Sequence, residues 1–593
     1  MAEPLLDVTQ FKALGQIRSF LRQEEGAFIE QGVELLRALS DPVLLSVLVE
    51  GSSIDTDGVI VIGRELQRTI RAEHHRWATL LLLAAADKLG ECISLCLDEM
   101  PGLTSLSILR SARSLQKLEI RDCAALDDVS GLTRLPVLSS IALSACPALV
   151  SLRGLSELPS LAQLDVRDCA TLDDISGLTG LPVLSSIALA ACPKLVSLDA
   201  LASLPALRAL QLTGGPVAGL LALASSALSE LSLSALPALE DLSCIARLRS
   251  LSSVSVSACP RLSDLEALVG LPLLSELSIS QNHMVRDLSL LSRLPSLRVL
   301  SLRVCTGLSS LALSGLLLER LQLSACRLLR SLRLERLGAL AVLEVEECRG
   351  LRLLSIHHLP QLRALDLQTV PQLSSLLLSK LPALQKLLLR NHRAQLQGSL
   401  TGLPALSEVS LGGRHLPALG RDLGRLPVLS SLVLCSCRHI EVLPELHGFS
   451  TLQQLHIEQA RDLVDITVLS GITTLEVLSV SECRVLSELS PLAPLVDLTS
   501  LTLTEAANVT VLAPLAKLRS LQTLRLCGAT ALEDIAPLSG LPGLTELELR
   551  DAAALRLLTP LRSLHGLVSL DLRGCLAAER EELRALSGLK LVT

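Results

Sequence analysis

Apolar residues along most of this chain fall in a fixed rhythm rather than in blocks. From Leu115 onward the pattern reads L-x-x-L-x-L-x-x-C-x-x-L-x-x-[LVI]-x-x-L-x-x-L, returning every 21 to 23 residues. With the first Leu as position 1, units begin at Leu115, Leu138, Leu161, Leu184, Leu207, Leu228, Leu251, Leu274, Leu297, Leu318 and Leu340, and Cys92 opens an atypical earlier one. They continue at Leu362, Leu384, Leu406, Leu429, Leu452, Leu475, Leu498, Leu521, Leu544 and Leu567. Positions 4 and 6 alternate with polar neighbours at 3, 5 and 7, the period of a half-buried strand. The later leucines, three apart, predict a tight 3₁₀-like return arc. No unit can bury its leucines alone, so neighbours must stack on one shared core with their strands parallel.

Some units are near copies. "RDCAALDDVSGLTRLPVLSSIAL" is followed by "RDCATLDDISGLTGLPVLSSIAL", which repeats the pair Asp127-Asp128 as Asp173-Asp174 at the strand-to-arc turn, a place suited to turn capping. Pro136, Pro159, Pro182 and Pro427 stand two residues before the next unit, where no ladder donor is needed. From Leu297 to about Leu403 an L-x-x-L-x-L triplet recurs about every eleven residues, predicting a second short strand on the returning side.

This unit resembles the leucine-rich repeat family, in its short intracellular and internalin-like class, most closely from Leu475 to Leu567. The resemblance covers roughly five sixths of the chain. It implies an α/β solenoid, a horseshoe with a parallel concave β-sheet. Position 9, usually Asn or Cys in the family, would turn inward to hydrogen-bond the bending backbone. Here that implies a structural ladder of Cys123, Cys146, Cys169, Cys192, Cys259, Asn282, Cys305, Cys326, Cys348, Cys437, Cys483 and Cys575.

The two ends read differently. Residues 1–90 show helical periodicity, with Phe11, Leu14, Ile17, Phe20 and Leu21 on one face, Asp41-Pro42 as a helix start, and a long helix carrying Trp77. They are expected to form a small α-helical N-terminal cap of HEAT-like character. Residues 91–578 form the solenoid of about 22 units. Residues 579–593, with "EREELRAL", form a helical C-terminal cap.

Composition agrees with one packing solution used many times: the 593 residues are 49% hydrophobic but only 1% aromatic. The start of the chain lacks a basic n-region and an apolar h-region, and no apolar run approaches the roughly 20 residues of a spanning helix. The expectation is a cytoplasmic protein without membrane contact, its sixteen Cys reduced. Eight Lys against 45 Arg is the bias of a GC-rich bacterial genome.

Chemistry is sparse. No G-K-[ST], H-E-x-x-H or G-x-S-x-G occurs. Cys96-Leu97-Asp98 matches the C-x-D of bacterial effector ubiquitin ligases but lies in a strand unit. Cys435 and Cys437 are expected to diverge, with Cys435 facing the concave side, so no metal or other cofactor is expected. His357-His358 reads as packing or solvated.

The remaining candidate site is the concave face, assigned to positions 3, 5, 7 and 8. Those columns hold twenty acidic and ten basic residues, a net charge near -10 against -7 for the whole chain. The acids singled out are Asp98, Glu99, Glu276, Glu344, Glu346, Glu347, Glu408, Glu458, Glu482, Glu505, Glu546 and Glu548. The bases are Arg303, Arg320, Lys386 and Arg390. A mildly acidic curved face favours a protein partner with a basic surface and disfavours nucleic acid. The function expected is therefore a non-catalytic interaction scaffold or recognition subunit. The alternatives are a regulatory subunit acting on an enzyme in trans, and an effector with ubiquitin-ligase-like activity.

Overall fold

The computed structural model describes residues 8–22, 26–39, 41–63, 66–67, 75–133, 135–216, 223, 227–367, 369–389, 397–400, 402–412, 416–443, 449–575 and 590–592. They fall into two compact units, Met1–Val285 and Arg286–Thr593.

The first unit opens with helices Val8–Leu21, Gly26–Leu39 and Pro42–Leu48. Leu14, Ile17 and Leu21 face inward with Ile29, Val33 and Leu36, whereas Phe11 is 67% exposed and leaves the predicted apolar stripe. Asp41 caps the third helix by accepting from the Val43 and Leu44 amides, with Pro42 in its first turn. Ser53–Ile54 and Ile60–Val61 form a small antiparallel hairpin, and helix His75–Ala85 carries Trp77 into the core.

Strands then follow at repeat spacing from Ser94–Asp98 to Glu276–Ser280, each parallel to and in register with the next. The unit starting at Leu115 shows why. Leu115, Leu118, Ile120, Cys123, Leu126, Val129, Leu132 and Leu135 are all buried, and the described residues between them are half-buried or exposed apart from Gly131. Two-residue spacing gives the strand Lys117–Arg121, and three-residue spacing then carries the chain through the short 3₁₀ turn Ser130–Leu132. Each fully buried leucine contributes about 1.5–3 kcal/mol, but only against a neighbouring coil.

Two local devices recur at the bends of the coils. At position 8 the backbone enters the left-handed region, as at Asp122 (φ 53°), Ala145, Asp168, Glu347 and Glu505, with Gly214, Gly528 and Gly574 in the same place. Its amide pairs with position 7 of the next coil, Asp122 N–H to the Ser144 carbonyl for example. At position 14 an acid caps the arc: Asp128, Asp174, Asp241, Asp264, Asp287, Asp465 and Asp534 each accept from the amide two residues on. The duplicated Asp128 and Asp174 are thus turn caps. Gly131 and Gly177 let neighbouring arcs touch; a Cβ at Gly177 would lie 2.0 Å from the Leu152 carbonyl oxygen.

The second unit repeats this parallel register from Val299–Arg303 through Ser569–Asp571. The eleven-residue triplets do form a second sheet: Ser310–Ser314, Ser331–Glu335, Leu353–His357, Ser375–Ser379 and Gln397–Ser399 are paired in parallel. The segment 579–586, expected to be helical, lies outside the described residues. Beyond it Lys590–Val592 depart from a helical cap, pairing as one more strand with Ser569–Asp571, as their alternation and β-branched Val592 favour. Among the described residues no helix is long and apolar enough to cross a membrane.

Candidate functional site

The outward face of the main strands is built by the alternation just described. Positions 4 and 6 are anchored in the core, so 3, 5 and 7 must project from the sheet. Position 8 departs from the expectation. The bend places Glu99, Glu347, Glu482 and Glu505 on the left-handed turn after the strand.

Among the described residues, seven of the sixteen singled-out charges form ion pairs, Asp98 with the helix His75–Ala85 and the other six with a residue on a neighbouring coil. Asp98 pairs with Arg76 at 2.7 Å, Lys386 with Glu408 at 2.9 Å, and Arg525 with Glu546 at 2.7 Å. Glu548 pairs with Arg550 at 2.6 Å, and Arg550 in turn reaches Asp571 at 2.8 Å. At the turns, position 10 of one coil meets position 8 of the next: Arg461 with Glu482 and Arg484 with Glu505, both at 2.6 Å. A column count of charge misses this cancellation, because it treats each column separately while ion pairs form between coils. Burial would raise the Asp571 carboxyl, but Arg573 and Arg550 outweigh it and hold it at about 2.

Glu344, Glu346 and Glu347 stand apart. Glu344 accepts from Gln322 at 2.7 Å, and the register sets Glu346 beside Ser324. Neither Glu346 nor Glu347 makes an ion pair with a described residue, and both are exposed. Glu276 accepts weakly from Ser253 at 3.4 Å, and Glu458 is half-buried. Arg303 and Arg320 project from adjacent strands and are exposed. Arg390 lies outside the described residues.

Position 9 turns inward in most of the described units. Asn282 is fully buried, donates to the Val256 carbonyl at 2.9 Å and accepts from the Cys259 amide at 2.8 Å. Cysteines in the same slot aim at the equivalent carbonyl of the preceding coil: Cys123 at Leu97, Cys326 at Leu302, Cys348 at Leu323 and Cys575 at Leu549. Cys146, Cys169, Cys192, Cys259, Cys305, Cys437 and Cys483 are also buried, whereas Cys575 is only partly so. Burial pushes Cys123 and Cys192 up to about 11 and Cys483 up to about 12. Cys169 and Cys348 are driven up by a neighbouring thiol, Cys146 and Cys326 respectively, and then by burial.

Two thiols outside the ladder, Cys96 and Cys527, are raised as well. Cys96 is raised by burial and then by Glu119, which disfavours a nucleophilic thiolate beside Asp98. Cys527 is pushed up to about 11 by burial and its 3.3 Å bond to Glu548. Cys435 shares the outward face of its strand but is not open to solvent. It is 4% exposed and lies 3.6 Å from Ser410, itself buried. Among the described residues no three His, Cys, Asp or Glu converge on a metal-sized site.

Two features escaped the sequence reading. Hydroxyls at position 2, such as Ser139, Ser185, Ser252, Ser275, Thr499 and Thr545, donate to the preceding coil's position 2 carbonyl. On the second sheet His357 bridges Ser355 at 2.7 Å and Ser379 at 2.6 Å, and the S-x-H spacing within one strand was the signal for the first contact.

No protein-family model matches the chain, and no curated protein matches it. Solved structures similar to it include an internalin (InlF) from Listeria monocytogenes, 19% identical over 62% of this chain and 88% of that one, with TM-score 0.32. A Leptospira interrogans LRR protein is 15% identical over 86% and 98%, with TM-score 0.27. A TLR13–ssRNA13 complex is 17% identical over 85% and 82%, with TM-score 0.40. Superpositions this loose leave the fold to the chain's own repeat and register.

Proposed function

We propose that this leucine-rich repeat protein is a non-catalytic recognition module that presents its main strand face to a protein with a basic surface. The observation carrying this reading is the trio Glu344, Glu346 and Glu347 on one coil. Directly across the register Glu344 and Glu346 face Gln322 and Ser324, and the one cation of that strand, Arg320, stands opposite Val342 without an ion pair to them, while acids toward the end of the second unit are already matched by arginine. A folded chain gains little from three neighbouring acids without counter-charges, whereas a basic partner would supply them. The sixteen cysteines stand as free thiols, which supports a reducing compartment such as the cytoplasm.

The test is capture of a binding partner by the full chain and by the triple variant Glu344→Lys, Glu346→Lys, Glu347→Lys. The reading expects wild-type capture to weaken between low and physiological salt and to vanish in the variant. Equal capture by both proteins at every salt concentration would overturn it.

A further inference from the structure

The second unit carries a cationic feature that the strand face does not use. At positions 10 and 13 of two successive coils stand Arg327 and Arg330, then Arg349 and Arg352. Together with Gln372 they line a cleft of about 220 Å³. Arg352 N–H donates to the Arg330 carbonyl, so these two backbones lie on adjacent rungs, about 4.8 Å apart. Gly350 brings the chain against the first pair; a Cβ there would lie 2.2 Å from the Arg327 carbonyl oxygen.

These guanidiniums differ from their neighbours. Arg298 pairs with Glu319 and Arg336 with Glu335, yet no described side chain pairs with Arg327, Arg330, Arg349 or Arg352. Even Glu347, which the turn rule sets opposite Arg327, forms no ion pair with it, although Arg461 and Arg484 satisfy that rule. Like charges on adjacent rungs repel, so packing alone gives no reason for the array. Four exposed forks converging on one small cleft match the oxygens of a multiply charged phosphate.

We infer that this cleft binds an oligophosphate anion. Arg330 and Arg352 grip one phosphoryl group from the sheet side, and Arg327 and Arg349 a second from the turn side. A nucleic-acid strand is disfavoured as its source. The arginine array spans two rungs, too short to track a backbone, and the sequence has no Phe, Tyr or Trp between Trp77 and Phe449 on which a base could stack.

Calorimetric titration of the full chain with inorganic pyrophosphate at fixed ionic strength tests the assignment. A parallel arm uses phosphatidylcholine vesicles with and without a phosphoinositide, to separate a free anion from a lipid headgroup. Saturable binding of either phosphate source is expected, weakened at least about tenfold by Arg330→Gln with Arg352→Gln. Arg349→Gln alone gives a second reading should the double variant fail to fold. The inference fails if neither source binds, if sulfate at the same ionic strength binds equally, or if the folded variants bind as the wild type does.

Discussion

Asn282 offers the sharpest test of how the coils are held together. Replacing it with Ala removes two buried hydrogen bonds, leaving the Cys259 amide without a partner and the Val256 carbonyl with its sheet ladder alone. An unsatisfied buried group costs about 1–3 kcal/mol, so the amide together with the missing volume predicts a loss of about 2–4 kcal/mol. Asn282→Cys should behave differently. Its thiol can reach the Val256 carbonyl as Cys326, two coils later, reaches the equivalent Leu302 carbonyl at 3.6 Å, and only the Cys259 amide loses its acceptor. That variant should lose about 1–3 kcal/mol. Native-state hydrogen exchange at the Cys259 amide reads this locally, without requiring the two units to unfold together. The expected order of protection is wild type, then Cys, then Ala, with Ala exchanging about a hundredfold faster or more. If the Ala variant exchanges like the wild type, or the Cys variant exchanges as fast as the Ala one, the equivalence of Asn and Cys at this slot is wrong.

Other expectations concern the arcs, the turns and the thiols. Gly177→Ala drives a Cβ into the Leu152 carbonyl and should cost more than about 2 kcal/mol in urea unfolding, whereas Ala at Gly471, where a Cβ meets nothing within 4 Å, should be near neutral. Val304 is β-branched at φ 52°, so Val304→Gly should raise the urea midpoint, relieving strain of about 1–2 kcal/mol against a smaller entropic cost of glycine. Ellman's reagent at pH 8 should leave Cys123, Cys192 and Cys483 unmodified until denaturant is added, because burial holds their pKa at about 11 to 12. Backbone and side-chain bonds from Ser176 hold Asp174 down to about 2, and bonds to Ser130 lower Asp128. Folded values below the unfolded one give stability that is present above about pH 4 and is lost as pH falls toward 2. Asp174→Asn should therefore lower the urea midpoint at pH 7 and flatten its decline in acid.

The strands were legible because alternation at positions 4 and 6 and three-residue spacing afterwards leave one geometry that buries every leucine. Even the second sheet followed, since "LERLQLSACRLLRSLRL" offers two strand triplets where other units offer one. Charge was read less well. Asp98, Glu482 and Glu546 look free in a column, but Arg76 reaches Asp98 from the helix His75–Ala85, Arg461 reaches Glu482 across a turn, and Arg525 reaches Glu546 from the neighbouring strand. Cys435 failed for a related reason: its position 7 implies exposure, yet it is buried beside Ser410. Phe11 shows the limit of helical periodicity near a helix start, where a residue can share a face without a neighbour to cover it.

The central claim is that recognition falls on the main strand face at the coil beginning with Leu340. Carboxyl-specific labelling of the protein alone and bound to its captured partner, read by mass spectrometry, addresses this directly. The account predicts that Glu346 and Glu347 lose label on binding while Glu240 and Glu266, on the return arcs, keep theirs. Protection of Glu240 and Glu266 with Glu346 and Glu347 fully labelled would contradict it.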